Sequence, residues 1–452
     1  MKRIDSKYIE TGSRWLVKHS LILNDQGEIE KICPQAEADR LSLRFEEELD
    51  LGSALLLPGC VNAHSHAFQV LLRPSMGQPQ HFRDWVDRFL YPLVLELDED
   101  SLYASSLLAF SEMLRAGITT VGEFFYLHNL ADGVSSRQRH AHAVIQAARE
   151  VGIRIALLRT LYDQGEKEGQ KRFREPAEQG LAQTRELAAH YARTPGVSVM
   201  PAPHSLHGAS QSLIEGAADL ARELGTPWHI HLAEQEQDVA FAQQRYGQRP
   251  LQCLEHWGVL NEASVMVHGI WLDQSEIALM GRRRAALAYN PQTNMALGDG
   301  IARIPELLQQ GVTVALGTDA NLDSSLFAEA RLTEYLQRTR SLTMGCIPDA
   351  RLLMSMLHTN GGKVLGLPVG RLEPGFQGDF LVIDPEHPSL LPAIWQQDVE
   401  TALLNQILFS MVPQEAISEV WVGGERVVEA GATLKVSRKQ IRQALKAVNS
   451  EQ

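Results

Sequence analysis

The chain has 452 residues, of which 44% are hydrophobic and 21% charged, enough for one large α/β unit and a smaller second unit. Its formal net charge of −13 and the lack of a basic patch argue against a nucleic-acid partner. No apolar run approaches the length of a membrane span, the N-terminus lacks a signal-peptide pattern, and the four cysteines form no CxxC pair. We therefore expect no membrane partner and a cytoplasmic location with free thiols.

The predicted elements begin with short strands and turns in residues 1–57, including a turn at Gln26-Gly27. From about residue 55, short apolar segments alternate with longer helical ones, and a glycine often separates helix from strand, as in RELGTPWHIH. This alternation is typical of βα units around a parallel sheet. It predicts an α/β fold, a (β/α)8 TIM barrel, with candidate strands at 55–61, 118–121, 154–158, 197–202, 228–232, 265–267, 286–289 and 312–317.

After residue 374 the pattern returns to β-strands, and the segment WVGGERVV predicts a hairpin. We expect the two chain ends to pair into one small β domain beside the barrel. The predicted division is 1–57 and 375–437 for the two parts of that domain, 58–374 for the barrel, and 438–452 for a surface helix.

Polar side chains follow several predicted barrel strands at the point where each strand ends. His64 and His66 follow the first strand, His231 ends the fifth, His268 follows the sixth and Asp319 follows the eighth. Because the carboxyl ends of barrel strands form one rim, where active sites of this fold lie, we expect these five side chains to meet.

The chain contains three HxH triplets, which we interpret differently. His140 and His142 lie in a predicted helix, where positions i and i+2 do not share a face, so we expect a solvated helix surface. His229 lies deeper on its strand than the rim, and we expect a packed core histidine. His64 and His66 end a strand, where alternate side chains point the same way, so both can reach one ion.

Three neutral imidazoles and one carboxylate suit a single Zn²⁺ or Fe²⁺ with one position open for water. We predict His64, His66, His231 and Asp319 as the metal ligands. The segment PAPHSLHG has no lysine that could be carbamylated to bridge two ions, which favours a mononuclear site.

The same rim supplies candidate acid and base groups. Such an ion lowers the pKa of a bound water towards about 7. Asp319 can accept the proton of that water, Glu234 can carry a proton to a substrate nitrogen, and His268 can stabilise the developing tetrahedral centre. The structural alternative for Glu234 is a surface salt bridge, because HLAEQEQD is acidic.

Several stretches together resemble the amidohydrolase superfamily, in its mononuclear deaminase and chlorohydrolase branch. They are LLPGCVNAHSHAFQ, AGITTV, HIHLAEQ, VMVHG, YNPQTNMALGDGIARIPELLQQGVTVALGTDA and GRLEPGFQGDFLVID. The resemblance implies a TIM barrel with a β-sandwich from both termini, and a homodimer. It also implies that the four predicted ligands hold the metal and that Glu234 and His268 are the acid/base pair.

The stretches HSHAFQ, GEFFYLHN and APHSLH are similar to formimidoylglutamate deiminases. That resemblance implies that Gln69, Tyr126 and His204 contact the substrate. Those enzymes, however, carry an arginine where this chain has His207, and a second one near DWVDRFLYP, and both grip substrate carboxylates. The candidates for a substitute cation are Arg73, Arg83 and Arg88.

The features YNPQTNMALGDG and LYP look instead like deaminases of aminated heterocycles. We therefore predict a metal-dependent hydrolytic deaminase of a small aminated heterocycle such as isocytosine, guanine or 8-oxoguanine, with adenosine-related compounds in the same class. The alternatives are a formimidoylglutamate deiminase-like iminohydrolase, an s-triazine-type chlorohydrolase and a non-catalytic scaffold. The candidate substrate-binding residues are Gln69, Trp85, Tyr91, Glu123, Tyr126, His204 and His207.

The candidate residues in this set have structural alternatives as well. Trp85 and Tyr91 could stack on a flat ring, but an aromatic side chain in a barrel loop is as often part of the core. Glu123 could pair with a ring N–H or a substrate amine, and a buried structural acid explains it equally well.

Overall fold

A computed structural model of the protein describes residues 1–77, 81–410 and 416–450. The strands in these ranges are, in chain order, β1 (Lys2–Glu10), β2 (Trp15–Leu23), β3 (Ile29–Pro34), β4 (Glu47–Asp50), β5 (Leu55–Pro58), β6 (Cys60–Ser65), β7 (Ile118–Phe125), β8 (Arg154–Leu161), β9 (Val197–Pro203), β10 (Trp228–Leu232), β11 (Ser264–His268), β12 (Ala286–Tyr289), β13 (Val314–Leu316), β14 (Phe380–Ile383), β15 (Ile417–Val422), β16 (Glu425–Glu429) and β17 (Ala432–Thr433).

The α-helices are α1 (Gln35–Ala38), α2 (Phe82–Trp85), α3 (Tyr91–Glu96), α4 (Glu99–Arg115), α5 (Arg139–Val151), α6 (Ala177–Tyr191), α7 (Gln211–Leu224), α8 (Glu236–Tyr246), α9 (Pro250–His256), α10 (Gln274–Arg283), α11 (Pro291–Leu297), α12 (Ile304–Gln309), α13 (Leu326–Ser341), α14 (Ala350–Leu357), α15 (Thr359–Val364), α16 (Leu391–Ile394), α17 (Val399–Phe409) and α18 (Arg438–Ser450). Ala67–Ser75 and Glu168–Arg172 are 3₁₀ helices, and Val86–Leu90 is a π-helical turn between α2 and α3. Helix α18 corresponds to the surface helix predicted over residues 438–452. Residues 451 and 452 of that prediction lie outside the described residues. Across the described ranges, no helix is both long and apolar enough to cross a membrane.

The eight strands β6 to β13 form the predicted parallel barrel. Strands β6 to β9 are paired in sequence order, as are β10 to β13. The two halves join where His231 N donates to His204 O over 3.0 Å and where Ser65 and Asp319 form a parallel bridge. Every residue of β7 and β10 is buried, as expected for parallel strands covered by helices on the outside.

The glycines that separate helix from strand are left-handed helix caps, as the sequence pattern predicts. Gly152 ends α5 with φ 91° and Gly225 ends α7 with φ 67°, and strands β8 and β10 follow within a few residues. This backbone region is open to glycine at little steric cost, so the chain can reverse sharply from the outer helix to the barrel.

The prediction of one strand over residues 55–61 is wrong, because the chain changes sheet at Gly59. Strand β5 pairs with β1 and β14 in the terminal domain, whereas β6 pairs with β7 in the barrel. A side chain at Gly59 would collide with Thr119, at 2.1 Å from its Oγ1, so only glycine fits the crossing. A continuous apolar run does not reveal such a change, since both strands are fully buried.

The two chain ends form one β-sheet domain, as predicted. Its sheet has the order β17-β16-β15-β14-β5-β1-β2-β3, with β4 also paired to β1, and it has its own apolar cluster that includes Ile4, Leu56 and Trp421. Strands β15 and β16 form the expected hairpin, with Gly423 and Gly424 at the turn. The segment 375–437 is not β throughout, because it also contains α16 and α17, and α17 packs against the barrel helices α13 and α14.

A buried ion pair joins this domain to the barrel. Arg154 opens β8, and its Nε and one terminal nitrogen each donate to Asp379 over 3.0 Å. The same carboxylate accepts from Gly423 N over 2.6 Å. Arg154 is mostly buried and Asp379 is fully buried. The positive charge of the arginine and the negative charge of the aspartate therefore neutralise each other at the amino end of the barrel strands.

Candidate functional site

The predicted rim residues meet at the carboxyl end of the barrel. The Nε2 atoms of His64 and His231 lie 3.2 Å apart. Asp319 Oδ1 lies 3.5 Å from His64 Nε2 and 3.4 Å from His66 Nε2. The ligand atoms of His64, His66 and Asp319 fall within 4.8 Å of one another, as do those of His64, His231 and His268. The structure thus brings together all four side chains predicted as metal ligands.

The ring nitrogens of this cluster are oriented for a cation. His66 Nδ1 lies 2.8 Å from Phe124 O and His231 Nδ1 lies 3.0 Å from His204 O, so each donates a proton there and leaves the Nε2 lone pair free. Burial lowers the pKa of His66 to about 4 and that of His231 well below its usual value, so both rings are neutral. Neutral imidazoles whose lone pairs converge with a carboxylate fit one divalent ion.

The backbone at this rim is strained in the way functional sites often are. Asp319 has φ 49° and His268 has φ 73°, both in the left-handed region that non-glycine residues rarely adopt. The strained Asp319 is held on both sides, because its N donates to His64 O over 3.0 Å and its O accepts from His66 N over 2.9 Å. Strands β6 and β13 thereby fix the spacing between the two histidines and the carboxylate.

A buried polar network lies behind the metal ligands. Asn62 Nδ2 donates to Thr318 Oγ1 over 2.7 Å, and Thr318 Oγ1 donates to Asn321 Oδ1 over 2.6 Å. Asn321 Nδ2 then donates to His66 O over 2.9 Å and to Asp319 O over 3.1 Å. These residues were not predicted from the sequence, although the asparagine in NAHSH and the segment TDAN after the last strand were available signals.

His268 is held as a hydrogen-bond donor facing the site. Asn294 Nδ2 lies 3.0 Å from His268 Nδ1 and 2.7 Å from Asp299 Oδ2, and an amide nitrogen can only donate. The proton of the imidazole therefore sits on Nε2, which lies 3.7 Å from Glu234 Oε1. Asn294 and Asp299 were also not identified from the sequence.

Glu234 lies at the edge of the cluster with its side chain 17% exposed, and it forms no salt bridge with a described lysine or arginine. Burial raises the pKa of Glu234 well above its usual value, and the neighbouring carboxylates of Asp299 and Asp319 raise it further. A carboxyl group whose pKa is raised in this way holds its proton more readily and is suited to donate it to a substrate. Because no described lysine or arginine pairs with Glu234, the surface salt bridge considered above is disfavoured.

A cavity of about 150 Å³ opens above the cluster. The predicted substrate-binding residues Gln69, Trp85, Tyr91, Tyr126, His204 and His207 line it, and the further lining residues missed from the sequence are Phe82, Val86, Leu90, Tyr162, Phe173, Thr293 and Leu297. Gln69 Nε2 donates to Tyr126 OH over 3.0 Å, whereas the His207 side chain is 43% exposed at the rim. The lining is aromatic, and among the described residues it includes no lysine or arginine.

Glu123 is not a wall of this cavity, contrary to the prediction. It lies behind the turn that carries His66, where Glu123 Oε1 accepts from Ala67 N over 2.7 Å. Burial raises the pKa of Glu123 to about 8. The residue is therefore a buried structural acid, the alternative considered for it.

The other HxH residues lie away from the cluster. His229 is buried and bonds to Val364 O over 2.9 Å, as expected for a core histidine. The prediction of a solvated surface is wrong for His140, which is buried in α5 and bonds to Leu127 O over 3.1 Å. His142 is half-buried and bonds to Tyr191 OH over 2.7 Å. Helix α5 therefore buries a larger part of its surface than the positions of its polar residues predicted.

The three arginines considered as substitute cations have separate environments. Arg73 donates to Asn321 O and pairs with Glu112, so it is committed to the scaffold. Arg88 lies over the ring of Phe89 on the surface. Arg83 lines a second cavity just outside the first.

Comparison with known proteins agrees with this architecture. Residues 55–427 match the model of the amidohydrolase family, and the chain belongs to that family. A relative from Syntrophobacter fumaroxidans named 5-methylthioadenosine/S-adenosylhomocysteine deaminase is 33% identical over 82% of this chain and 81% of its own.

Solved structures show the same fold at lower identity. An adenosine deaminase from Xanthomonas campestris with bound zinc has a TM-score of 0.85 and 24% identity, covering 99% of this chain and 98% of that one. An atrazine chlorohydrolase from Arthrobacter aurescens TC1 complexed with zinc has a TM-score of 0.86 and 22% identity, covering 99% and 100%. The barrel with a terminal β domain is thereby confirmed.

Proposed function

We propose that this protein is a metal-dependent hydrolase that deaminates a neutral aminated heterocycle. The observation that carries the proposal is the meeting of a complete His₃Asp ligand set with Glu234, a carboxyl group of raised pKa, at the floor of a largely aromatic cavity whose described lining includes no lysine or arginine. The deaminase names of relatives that cover most of the chain support it.

The proposed metal is Zn²⁺, held by His64, His66, His231 and Asp319. Histidine nitrogens and one carboxylate are ligands that zinc prefers, and zinc is present in the structural relatives described above. When bound, the ion would supply a water of lowered pKa as the nucleophile.

The protein groups supply the proton transfers. Asp319 accepts the proton that the attacking water loses, and Glu234 gives its proton to the ring nitrogen beside the attacked carbon. His268 Nε2–H faces Glu234 and can donate to the oxygen as the carbon becomes tetrahedral. Transfer of the water proton from Asp319 to the amino group then breaks the C–N bond and releases ammonia. The remaining hydroxyl proton passes to Glu234, which restores the acid and leaves a carbonyl on the ring.

The walls of the cavity favour an uncharged ring. Phe82, Trp85 and Tyr126 offer flat apolar faces, and Gln69 and His204 offer hydrogen-bonding groups among them. A formimidoylglutamate substrate would bring two carboxylates, whereas the described lining of this cavity includes no lysine or arginine and the cations Arg83 and Lys167 line the adjoining second cavity. Isocytosine, guanine and 8-oxoguanine fit this class, as do adenosine-related compounds, while the homodimer and the cytoplasmic location stay predictions.

An ammonia-release screen with zinc-loaded protein tests the proposal. The panel contains isocytosine, guanine, 8-oxoguanine, cytosine, adenosine and formimidoylglutamate, with a chlorinated s-triazine as the contrasting substrate. We expect ammonia from at least one aminated heterocycle. Chloride release from the triazine without ammonia from any heterocycle would instead support the chlorohydrolase, and absence of bound zinc would support a scaffold.

A further inference from the structure

A carboxyl group that the proposed reaction does not use lies buried behind His268. Asp299 follows helix α11 and is 2% exposed, and it does not line the cavity above the metal ligands. No described lysine or arginine pairs with it. A buried acid without a cation is costly, so we looked for what its oxygens hold in place.

Three segments of the rim fix the position of Asp299. Its Oδ1 accepts from Gln235 Nε2, in the loop after β10, and its main-chain O accepts from Trp271 Nε1 over 3.0 Å, in the loop after β11. Its own N donates to Asn294 O, on α11, over 2.9 Å. The remaining side-chain oxygen, Oδ2, therefore has a defined position and direction.

This oxygen determines which way the amide of Asn294 points. Asp299 Oδ2 accepts from Asn294 Nδ2 over 2.7 Å. In a reversed amide, Asn294 Oδ1 would take the place of the nitrogen, and two acceptors would face each other at that distance. Burial raises the pKa of Asp299 to about 8, but a proton carried on Oδ1 still leaves Oδ2 as the acceptor. Asp299 thus holds the amide of Asn294 in one orientation.

The orientation of Asn294 in turn determines which nitrogen of His268 carries the proton. Asn294 Nδ2 lies 3.0 Å from His268 Nδ1, so Nδ1 accepts and the proton is on Nε2, which faces Glu234. A reversed amide would present its oxygen to Nδ1 and stabilise the other tautomer, whose Nε2 cannot donate. Asn290 Nδ2 also faces Nδ1, at 3.4 Å, but its amide oxygen has no described partner that would keep it from turning.

We propose that Asp299 is a positioning residue for the deamination, because through Asn294 it keeps the proton of His268 on Nε2, from which it can be donated to the oxygen of the tetrahedral centre. This inference rests on the proposed function. Asp299 itself contacts neither the substrate nor the metal, and it acts as a hydrogen-bond acceptor.

Two substitutions of Asp299 separate the acceptor from the charge. Asp299→Leu has a similar size but no acceptor, and it should lower kcat about 10–100-fold with little change in KM or zinc content, the usual effect of losing an outer partner of a site histidine. Asp299→Asn can still present an oxygen to Asn294, because Gln235 is only half-buried and can turn its own amide. This variant should retain most of the activity. Equal losses in the two variants would show that the charge of Asp299 matters instead, which overturns the proposal.

A double variant tests whether Asp299 acts through Asn294. Asp299→Leu combined with Asn294→Leu should be no slower than Asn294→Leu alone, since both changes remove the same interaction. Losses that multiply overturn the proposal. The control is Glu276→Leu, which removes another buried carboxyl group, one that accepts from Leu251 N away from the cavity. It should leave kcat of the folded fraction unchanged, and a loss as large as that of Asp299→Leu would overturn the assignment.

The tautomer can be measured without turnover. In zinc-loaded protein with nitrogen-15-labelled histidine, NMR shows which ring nitrogen of His268 bears a proton, and the spectrum of His268→Gln identifies its signals. We expect the Nε2–H form in the original protein and in Asp299→Asn, and the Nδ1–H form in a substantial fraction of Asp299→Leu. An unchanged tautomer in Asp299→Leu overturns the proposal even if kcat falls. If the original protein releases no ammonia from any heterocycle, the proposed function fails, and the spectra still decide whether Asp299 sets the tautomer.

Discussion

The two ends of the barrel strands carry buried charge in different ways. At the amino end, Arg154 and Asp379 neutralise each other through two hydrogen bonds, and a backbone N–H binds the same carboxylate. At the carboxyl end, Glu234, Asp299 and Asp319 lie near one another, and no described lysine or arginine pairs with them. A compensated pair holds two parts of the fold together, whereas an uncompensated group of acids needs a proton or a metal.

The largest expected effect comes from removing a ligand at the carboxyl end. His64→Ala should reduce bound zinc to near zero and deaminase activity to background. The reason is that the variant loses the imidazole nitrogen that lies beside both His231 Nε2 and Asp319 Oδ1 in the proposed ligand set. Metal content and ammonia release are measured on the same sample. His229→Gln, two residues before another ligand but buried in the core, is the control and should keep its zinc. Full zinc in the His64 variant would contradict the assigned ligand set.

Glu234→Gln should lower kcat by about 10²–10⁴-fold while zinc content stays normal. The amide has the shape of the carboxyl group but has no proton to give to the ring nitrogen. Steady-state kinetics together with metal analysis separates this loss from loss of the ion. A kcat within about threefold of the original enzyme would remove Glu234 from the acid role.

At the amino end the same kind of substitution should affect stability instead. Asp379→Ala leaves Arg154 buried without its partner and should lower the free energy of unfolding by about 3–5 kcal/mol. Thermal unfolding measures the change, and kcat of the folded fraction should be unaffected. Arg185→Ala is the control, because its pair with Glu223 is exposed and should contribute little. Equal destabilisation by both variants would contradict the distinction between the two ends.

The expected effect at Glu123 is a change in the pH dependence of stability, which is small over each pH step. Burial raises the pKa of Glu123 from its ordinary 4.5 to about 8 in the folded chain, so its stabilising contribution is full below pH 4.5 and is lost as the pH rises towards 8. In this window the group lowers the free energy of unfolding by at most about 1.4 kcal/mol per pH unit.

Glu123→Gln should flatten that slope, which unfolding measurements at pH 5, 6, 7 and 8 can detect. The glutamine keeps an oxygen that can accept from Ala67 N, so the turn should stay intact. Parallel slopes for the variant and the original chain would show that Glu123 is already ionised when folded.

Much of the site could be predicted because it depends on a simple periodicity. Strand ends recur along a barrel sequence, and a histidine or aspartate at each of several ends can be recognised from the order of residues alone. That periodicity identified His64, His66, His231, His268 and Asp319, which the fold brings together. The alternation of strand and helix likewise predicted the barrel, and the strand-and-turn pattern of the two chain ends predicted the β domain.

What could not be predicted depends on contacts between segments far apart in the chain. Gly59 shows this, since a continuous apolar run does not reveal that its two halves join different sheets. Asn294 orients the ring of His268 through a hydrogen bond from its side-chain amide to His268 Nδ1. The sequence does not show where that amide group points. His140 and Glu123 were assigned to the wrong surroundings because burial of a single polar residue depends on what packs against it.

The crossing at Gly59 also bears on how the protein is made. Strand β5, which leads into the first two metal ligands, is paired on one side with β1 and on the other with β14, a strand close to the C-terminus. During synthesis that second edge stays open until most of the chain has left the ribosome. We therefore expect the terminal sheet to close late, after residues 380–383 have been added.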